Sequence, residues 1–127
     1  MELINVIVAG AAAWMVGAVW YGVMGKAWME DVGLTEETVD RKNPVPYIGS
    51  FLCAVIVAGM MRHIFESSGV HSTGYGMISG LGLGLFIAAP WLATNYLFAQ
   101  RPRRLIFIDG MYATLGCTVI GLVLVLF

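Results

Sequence analysis

Four long apolar stretches constrain this chain more than any other feature of its sequence. They cover residues 3–24, 46–65, 74–99 and 105–127. A helix needs roughly 20 apolar residues to cross about 30 Å of hydrocarbon, and each stretch reaches that length. The pattern predicts an all-α integral membrane protein, a single domain over residues 1–127 in which four transmembrane helices pack as a bundle.

The composition argues against most classes of soluble protein. Hydrophobic residues make up 59% of the chain and charged residues only 12%, about half the share in an ordinary soluble domain. A soluble domain of 127 residues hides only about two-thirds of the surface that its unfolded chain exposes. A soluble enzyme, a nucleic-acid-binding protein and a disordered chain are therefore poor interpretations, and membrane lipid is the expected surrounding.

The positive charges are distributed unequally between the connections. The first and third connections hold six cations: Lys26, Arg41, Lys42, Arg101, Arg103 and Arg104. The opposite side has only Arg62. Because cytoplasmic loops carry an excess of Lys and Arg, these two connections are predicted to be cytoplasmic and both termini extracytoplasmic.

The first connection, residues 25–45, is predicted to contain a short helix over residues 35–42. Thr35 is placed to cap its start, and Leu34 can pack on Val39 as a hydrophobic staple. Acidic residues precede basic ones in this segment, as the helix dipole favours. Pro44 lies just beyond the basic residues and ends the predicted helix.

The third apolar stretch has glycines at four-residue intervals. Gly76, Gly80 and Gly84, continued by Ala88, form one face of small residues. Such faces let helix backbones pack closely in a membrane, where lipid gives no hydrophobic driving force. The pattern leaves open whether this face packs within one chain or between copies, and we expect a homo-oligomer. Pro90, on the same helix, is predicted to introduce a kink.

Asp109 is the most informative polar residue, because a carboxylate inside a membrane helix is costly unless it is paired or hydrated. It begins a stripe of small residues on the fourth helix, which indicates that it faces another helix. We expect a polar cluster at the cytoplasmic end, formed by Asp109 with Asn95, Lys26, Trp28, Arg101 and Tyr112. This cluster is either a site for a ligand or an ion, or a structural clasp between helices.

No sequence motif indicates a catalytic or metal-binding centre. The chain has no nucleophile–base pair, phosphate-binding loop or paired carboxylates. Cys53 and Cys117 both lie in apolar stretches, and His63 and His71 are spaced too far apart to bind a metal from one helix. We therefore predict no catalytic residue, no metal and no cofactor.

Two stretches of the sequence carry a family resemblance. They are VGAVWYGVMGKAWM at residues 16–29 and TNYLFAQRPRRLIFIDGMY at residues 94–112. Both resemble signatures of the bacterial membrane-protein family known as domain of unknown function 1761. The residues that match are Trp20, Tyr21, residues 25–29, Asn95, Arg101, Asp109 and Tyr112. The resemblance implies the four-helix fold and the inner-membrane location, and it implies no activity.

Three functions are compatible with these features. We favour a transport or ligand-binding role at the cytoplasmic-side polar cluster, in an oligomeric protein. One alternative is a membrane accessory or scaffold protein that acts through helix packing. The other is a lipid-modifying enzyme in which Arg101, Arg103 and Arg104 hold an anionic head group. The small-molecule or protein partner is left open.

Overall fold

The computed structural model describes residues 2–126, which form helices and connecting turns without any β-strand. Its elements are α1 (Glu2–Val32), α2 (Val45–Ser68), α3 (Thr73–Leu83), a π-helical turn (Gly84–Ala88), α4 (Ala89–Phe98) and α5 (Arg103–Leu126). Because α3, the π-helical turn and α4 are continuous, this part of the chain contains four long helices. All four are long and apolar enough to cross a membrane. The prediction of an all-helical chain with four such helices is confirmed.

The first helix is longer than the apolar stretch that predicts it. α1 continues to Val32 instead of ending near residue 24, and Gly33 then adopts a left-handed conformation (φ 82°). The extension is bound to the first turn of α5 through Arg104. The Arg104 Nε and Nη2 atoms donate to the two carboxylate oxygens of Asp31 at 2.9 and 2.8 Å. Nη2 also donates to the Ala27 carbonyl at 3.3 Å. This bidentate contact holds charged residues in a helix that hydropathy alone would end earlier.

The short helix predicted over residues 35–42 is wrong, because this segment forms only a turn. The Thr38 backbone N–H bonds to the Thr35 carbonyl at 3.1 Å, and the Thr35 N–H bonds to the Thr38 hydroxyl at 2.8 Å. Threonine hydroxyls that bind nearby backbone groups compete with helix formation. A helix of this length, without a packing partner, is also marginal in water.

The other helices pack around α5. Half of its most apolar segment is buried, compared with 17% for α2 and 17% for the helix that contains α3 and α4. α5 contacts α1, α2, α3 and α4, whereas α2 packs mainly on α1. The core lies where α1, α2 and α5 meet and includes Ala9, Ala58 and Ile120. This arrangement makes α5 the element that positions the other helices.

The glycine face of α3 lies directly against α5. A Cβ atom added at Gly76 would stand 2.6 Å from the carbonyl oxygen of Gly121. One added at Gly80 would stand less than 3.0 Å from the carbonyl oxygen of Cys117, closer than real Cβ atoms approach. Gly84 is also buried against α5, and Ala88 is half-buried one turn further on. These close contacts lie within one chain.

At Pro90, where the sequence predicts a kink, the structure has a π-helical turn just before the proline. The Ala89 N–H bonds to the carbonyl of Gly84, five residues earlier. Pro90 has no N–H to donate, and an irregular turn of this kind accommodates the interruption in the hydrogen-bond ladder. The helix continues to Phe98, so residues on both sides of Pro90 pack against α5.

We expect Gly80→Ala to lower the free energy of unfolding by about 1–3 kcal/mol, the usual cost of overpacking. The added methyl group would collide with the α5 backbone and force the two helices apart. Gly82→Ala is the matched control, because a Cβ there meets nothing within 4 Å. Unfolding of the two variants in detergent measures the difference, and equal stability would contradict the close packing.

A second prediction concerns the extension of α1. Arg104→Ala removes the bidentate contact to Asp31, so the amides of residues 28–32 should exchange with deuterium faster than in the unaltered protein. Arg103→Ala is the control, since no ion pair or hydrogen bond to the Arg103 side chain occurs within residues 2–126. Unchanged protection in Arg104→Ala would show that the extension is stable without this contact.

Candidate functional site

Asp109 is buried in the second turn of α5, with 8% of its surface exposed. Its two carboxylate oxygens accept hydrogen bonds from two phenols. The Tyr21 hydroxyl of α1 donates to Oδ1 and the Tyr96 hydroxyl of α4 donates to Oδ2, each at 2.5 Å. One carboxylate therefore connects three helices, and each of its oxygens has a hydrogen-bond donor.

Small residues on α1 make room for the aromatic side chains around this carboxylate. A Cβ atom at Gly17 would lie 2.7 Å from the ring of Tyr112. The Tyr112 hydroxyl donates to the carbonyl of Ala13 at 3.1 Å, and its ring packs edge-on against Tyr21 with centroids 5.4 Å apart. Gly17 and Ala13 thus allow Tyr112 to pack against α1, and the Tyr112 ring in turn packs against the ring of Tyr21.

Two tryptophans complete this aromatic surrounding. The Trp20 indole N–H donates to the carbonyl of Ile108 at 2.9 Å, which fixes α1 to α5 beside Asp109. The Trp28 ring lies edge-on to Tyr21, with centroids 6.2 Å apart. Tyr21 is therefore held from two sides, so its hydroxyl is directed at the carboxylate by packing as well as by hydrogen bonding.

The structure distributes the predicted cluster residues unevenly. Tyr112 and Trp28 contact the Tyr21 ring, but across residues 2–126 no hydrogen bond or ion pair joins Lys26, Asn95 or Arg101 to Asp109. Those three residues are exposed. Long cationic side chains near helix ends extend toward water, which leaves phenols as the partners of the buried carboxylate.

Tyr21 and Tyr96 are the two direct partners of Asp109, and neither belongs to the polar cluster predicted from the sequence. Both lie in the stretches that carry the family resemblance, each next to a residue already considered, Trp20 or Asn95. A tyrosine in an apolar helix needs a partner for its hydroxyl. Their position as tyrosines in apolar helices is therefore the sequence signal that indicates both residues as partners of a buried carboxylate.

A second polar network lies at the opposite end of α5. Asn5 is completely buried, and its Nδ2 donates to the carbonyl of Leu124 at 3.4 Å. Arg62 Nη1 donates to Asn5 Oδ1 at 3.2 Å, and Arg62 Nη2 pairs with Glu66 at 3.1 Å. This network joins α1, α2 and α5 beside a cavity of about 140 Å³ that His71 also lines.

The donor set at Asp109 suits a proton or a small cation better than a transition metal. Each carboxylate oxygen can accept two hydrogen bonds and receives one from a phenol, so one lone pair on each oxygen remains. Within the described chain, no three His, Cys, Asp or Glu side chains are grouped closely enough to hold a metal ion. Cys53 is an exposed free thiol and Cys117 a buried one.

We expect Tyr21→Phe and Tyr96→Phe each to lower the free energy of unfolding by about 1–3 kcal/mol. Each substitution leaves one oxygen of the buried carboxylate without its donor. Tyr75→Phe is the matched control, since Tyr75 is exposed on α3. Thermal unfolding of the three variants tests this, and equal stability of all three would show that the phenols contribute little to holding the helices together.

No curated protein and no solved structure matches this chain. The model of the family described as protein of unknown function (DUF1761) matches residues 4–125, nearly the whole chain. That range includes Asp109, its two phenol partners and both stretches that carry the resemblance. The chain therefore belongs to the DUF1761 family.

Proposed function

We propose that this chain is a multi-pass protein of the bacterial inner membrane, with all four long helices crossing the bilayer. The outward faces of these helices support this proposal, because they expose large apolar side chains. Phe86 and Trp91 are 74% and 75% exposed, and Val23 on α1 is 74% exposed. Contact with hydrocarbon costs such surfaces no free energy, whereas contact with water does.

The proposed orientation places the Asp109 end of the helices in the cytoplasm and both termini outside it. Six of the seven cations lie at the Asp109 end, either in the two connections there or on the helix ends next to them. Lys26, Arg101 and Arg103 are exposed there, as expected for side chains that contact water and lipid head groups. Asp109 then lies just inside the cytoplasmic leaflet.

We propose that Asp109 binds a proton or a small cation, as part of a transport or ligand-binding role. The observation that carries this is a buried carboxylate held by two phenols, with no ion pair to a cation anywhere in residues 2–126. An ionised carboxylate in hydrocarbon is costly unless a positive charge compensates it. The two phenols donate hydrogen bonds but carry no positive charge, which leaves the charge of the carboxylate for a proton or a small cation to compensate.

Transport would require more than one copy of the chain. α5 occupies the centre of the helices, and its buried side chains fill the space where a pathway would otherwise run. We therefore propose a homo-oligomer in which helices of several subunits surround the pathway. The exposed apolar faces of α2 and of the helix containing α3 and α4 are available for such contacts.

The second candidate is an accessory or scaffold protein in which Asp109 serves only as a clasp. One observation favours it: Asp109 joins α1, α4 and α5, and both of its oxygens already have donors. In that case the phenol pair completes a polar contact between helices and exchanges nothing with solvent. The two candidates differ in whether the carboxylate takes up and releases a proton or a small cation.

The experiment is a proton-flux measurement on proteoliposomes loaded with a pH-sensitive dye, under an imposed potassium diffusion potential. We expect the unaltered protein to carry protons faster than protein-free vesicles, and Asp109→Asn to fall to the protein-free rate. Asparagine keeps the shape and accepts a phenol hydrogen bond but cannot take up a proton.

Glu37→Gln is the control, because Glu37 is an exposed carboxylate in the first connection, outside the helices. Thermal unfolding of each variant separates the two candidates. Loss of flux with an intact fold supports proton handling. Equal flux in the unaltered protein and the protein-free vesicles, with Asp109→Asn destabilised, supports the clasp.

A further inference from the structure

An apolar groove runs along the outer surface between α1 and α5. It is open to the outside, has a volume of about 460 Å³ and exposes only apolar surface on its walls. The residues that line it are Met15, Val16, Val19, Trp20, Val23 and Leu115. We refer to this feature below as the apolar groove.

Only one of these side chains carries an N–H or O–H group, and that group is already hydrogen-bonded within the chain. The Trp20 indole N–H is already bonded to the carbonyl of Ile108, so the ring offers only its hydrocarbon surface. Met15, Val19 and Val23 are exposed along the edge formed by α1. An occupant of the groove therefore meets hydrocarbon and needs no hydrogen-bonding groups of its own.

The lining residues on α1 run from Met15 to Val23, about 12 Å, and Lys26 extends this span to about the hydrocarbon depth of one leaflet. Along α1, which rises about 1.5 Å per residue, Met15 and Lys26 are separated by roughly 16 Å. Half of a bilayer core of about 30 Å is about 15 Å. With Lys26 at the cytoplasmic interface, Met15 lies near the middle of the bilayer, so the groove and Lys26 together have the reach of a single acyl chain.

Lys26 supplies a positive charge at the interfacial end of this groove. It follows Val23 by three residues and Val19 by seven, which places it on the same face of α1. Its side chain is exposed and makes no hydrogen bond or ion pair with any residue from 2 to 126. Glu30 lies one turn further along α1, but its carboxylate is 4.0 Å from the Arg104 guanidinium and does not pair with Lys26.

We propose that the apolar groove binds one acyl chain of an anionic phospholipid from the cytoplasmic leaflet, and that Lys26 pairs with its phosphate. This inference rests on the membrane insertion proposed above. Apolar walls, the reach of one leaflet and a cation at the interfacial end together match the two parts of such a lipid. A peptide helix would match the walls but would leave Lys26 without a counter-charge.

The test uses nanodiscs of equimolar phosphatidylglycerol and phosphatidylcholine, with native mass spectrometry of the released protein. We expect the unaltered chain to retain phosphatidylglycerol over phosphatidylcholine by about fivefold, the factor that corresponds to about 1 kcal/mol per lysine. Lys26→Gln should reduce this preference to near unity. Val19→Trp should fill the groove and reduce the retention of both lipids.

Two control variants match these changes elsewhere on the surface. Lys42→Gln removes an exposed cation from the first connection, and Ile56→Trp adds bulk on the exposed face of α2. Both should retain lipid as the unaltered chain does. If Lys26→Gln keeps the full preference, or the unaltered chain has none, the proposed lipid site is wrong.

The remaining outcomes separate the groove from the membrane placement. Failure of the unaltered chain to enter nanodiscs would overturn the membrane insertion and the lipid site with it. Entry without lipid selectivity would overturn the lipid site alone. A mass spectrum of dimers that Val19→Trp converts to monomers would overturn it as well, because the groove would then hold a second copy of the chain.

Discussion

The close approach of α3 to α5 is the contact on which the rest of the structure depends. Gly76 and Gly80 bring the two backbones together at distances that a Cβ atom would not allow. In lipid, where we propose that these helices lie, packing of this kind contributes most of the attraction, because burial of apolar side chains gains little. The glycine contact holds α3 against one side of α5, and α1 packs against α5 through Ala13 and Gly17.

Two polar networks act at the ends of this packed core. At one end Asp109 receives hydrogen bonds from Tyr21 and Tyr96, and at the other Asn5 connects Leu124 with Arg62. Each network joins α5 to two other helices. A buried polar group is costly without partners, so each network favours one register of the helices over alternatives that would leave it unsatisfied.

Much of the fold could be predicted from the sequence, because helices long and apolar enough to cross a membrane are recognised by length and hydropathy. The four apolar stretches indicate four helices, and Asp109 stands out as a carboxylate in an apolar segment. The extension of α1 to Val32 could not be predicted in this way, because it depends on the contact between Asp31 and Arg104. The turn at Thr35 likewise depends on which of two local hydrogen-bond patterns the chain adopts.

The sequence by itself determined the number of long helices, the end at which the cations gather and the presence of a costly carboxylate. Only the tertiary structure decided that phenols, rather than Lys26 or Arg101, donate hydrogen bonds to that carboxylate. It also decided that the glycines of α3 face α5 of the same chain. Hydropathy and charge are properties of each segment, so they can be read along the chain. The partner of a side chain depends on the rotation and separation of two helices, which the packing of all of them determines together.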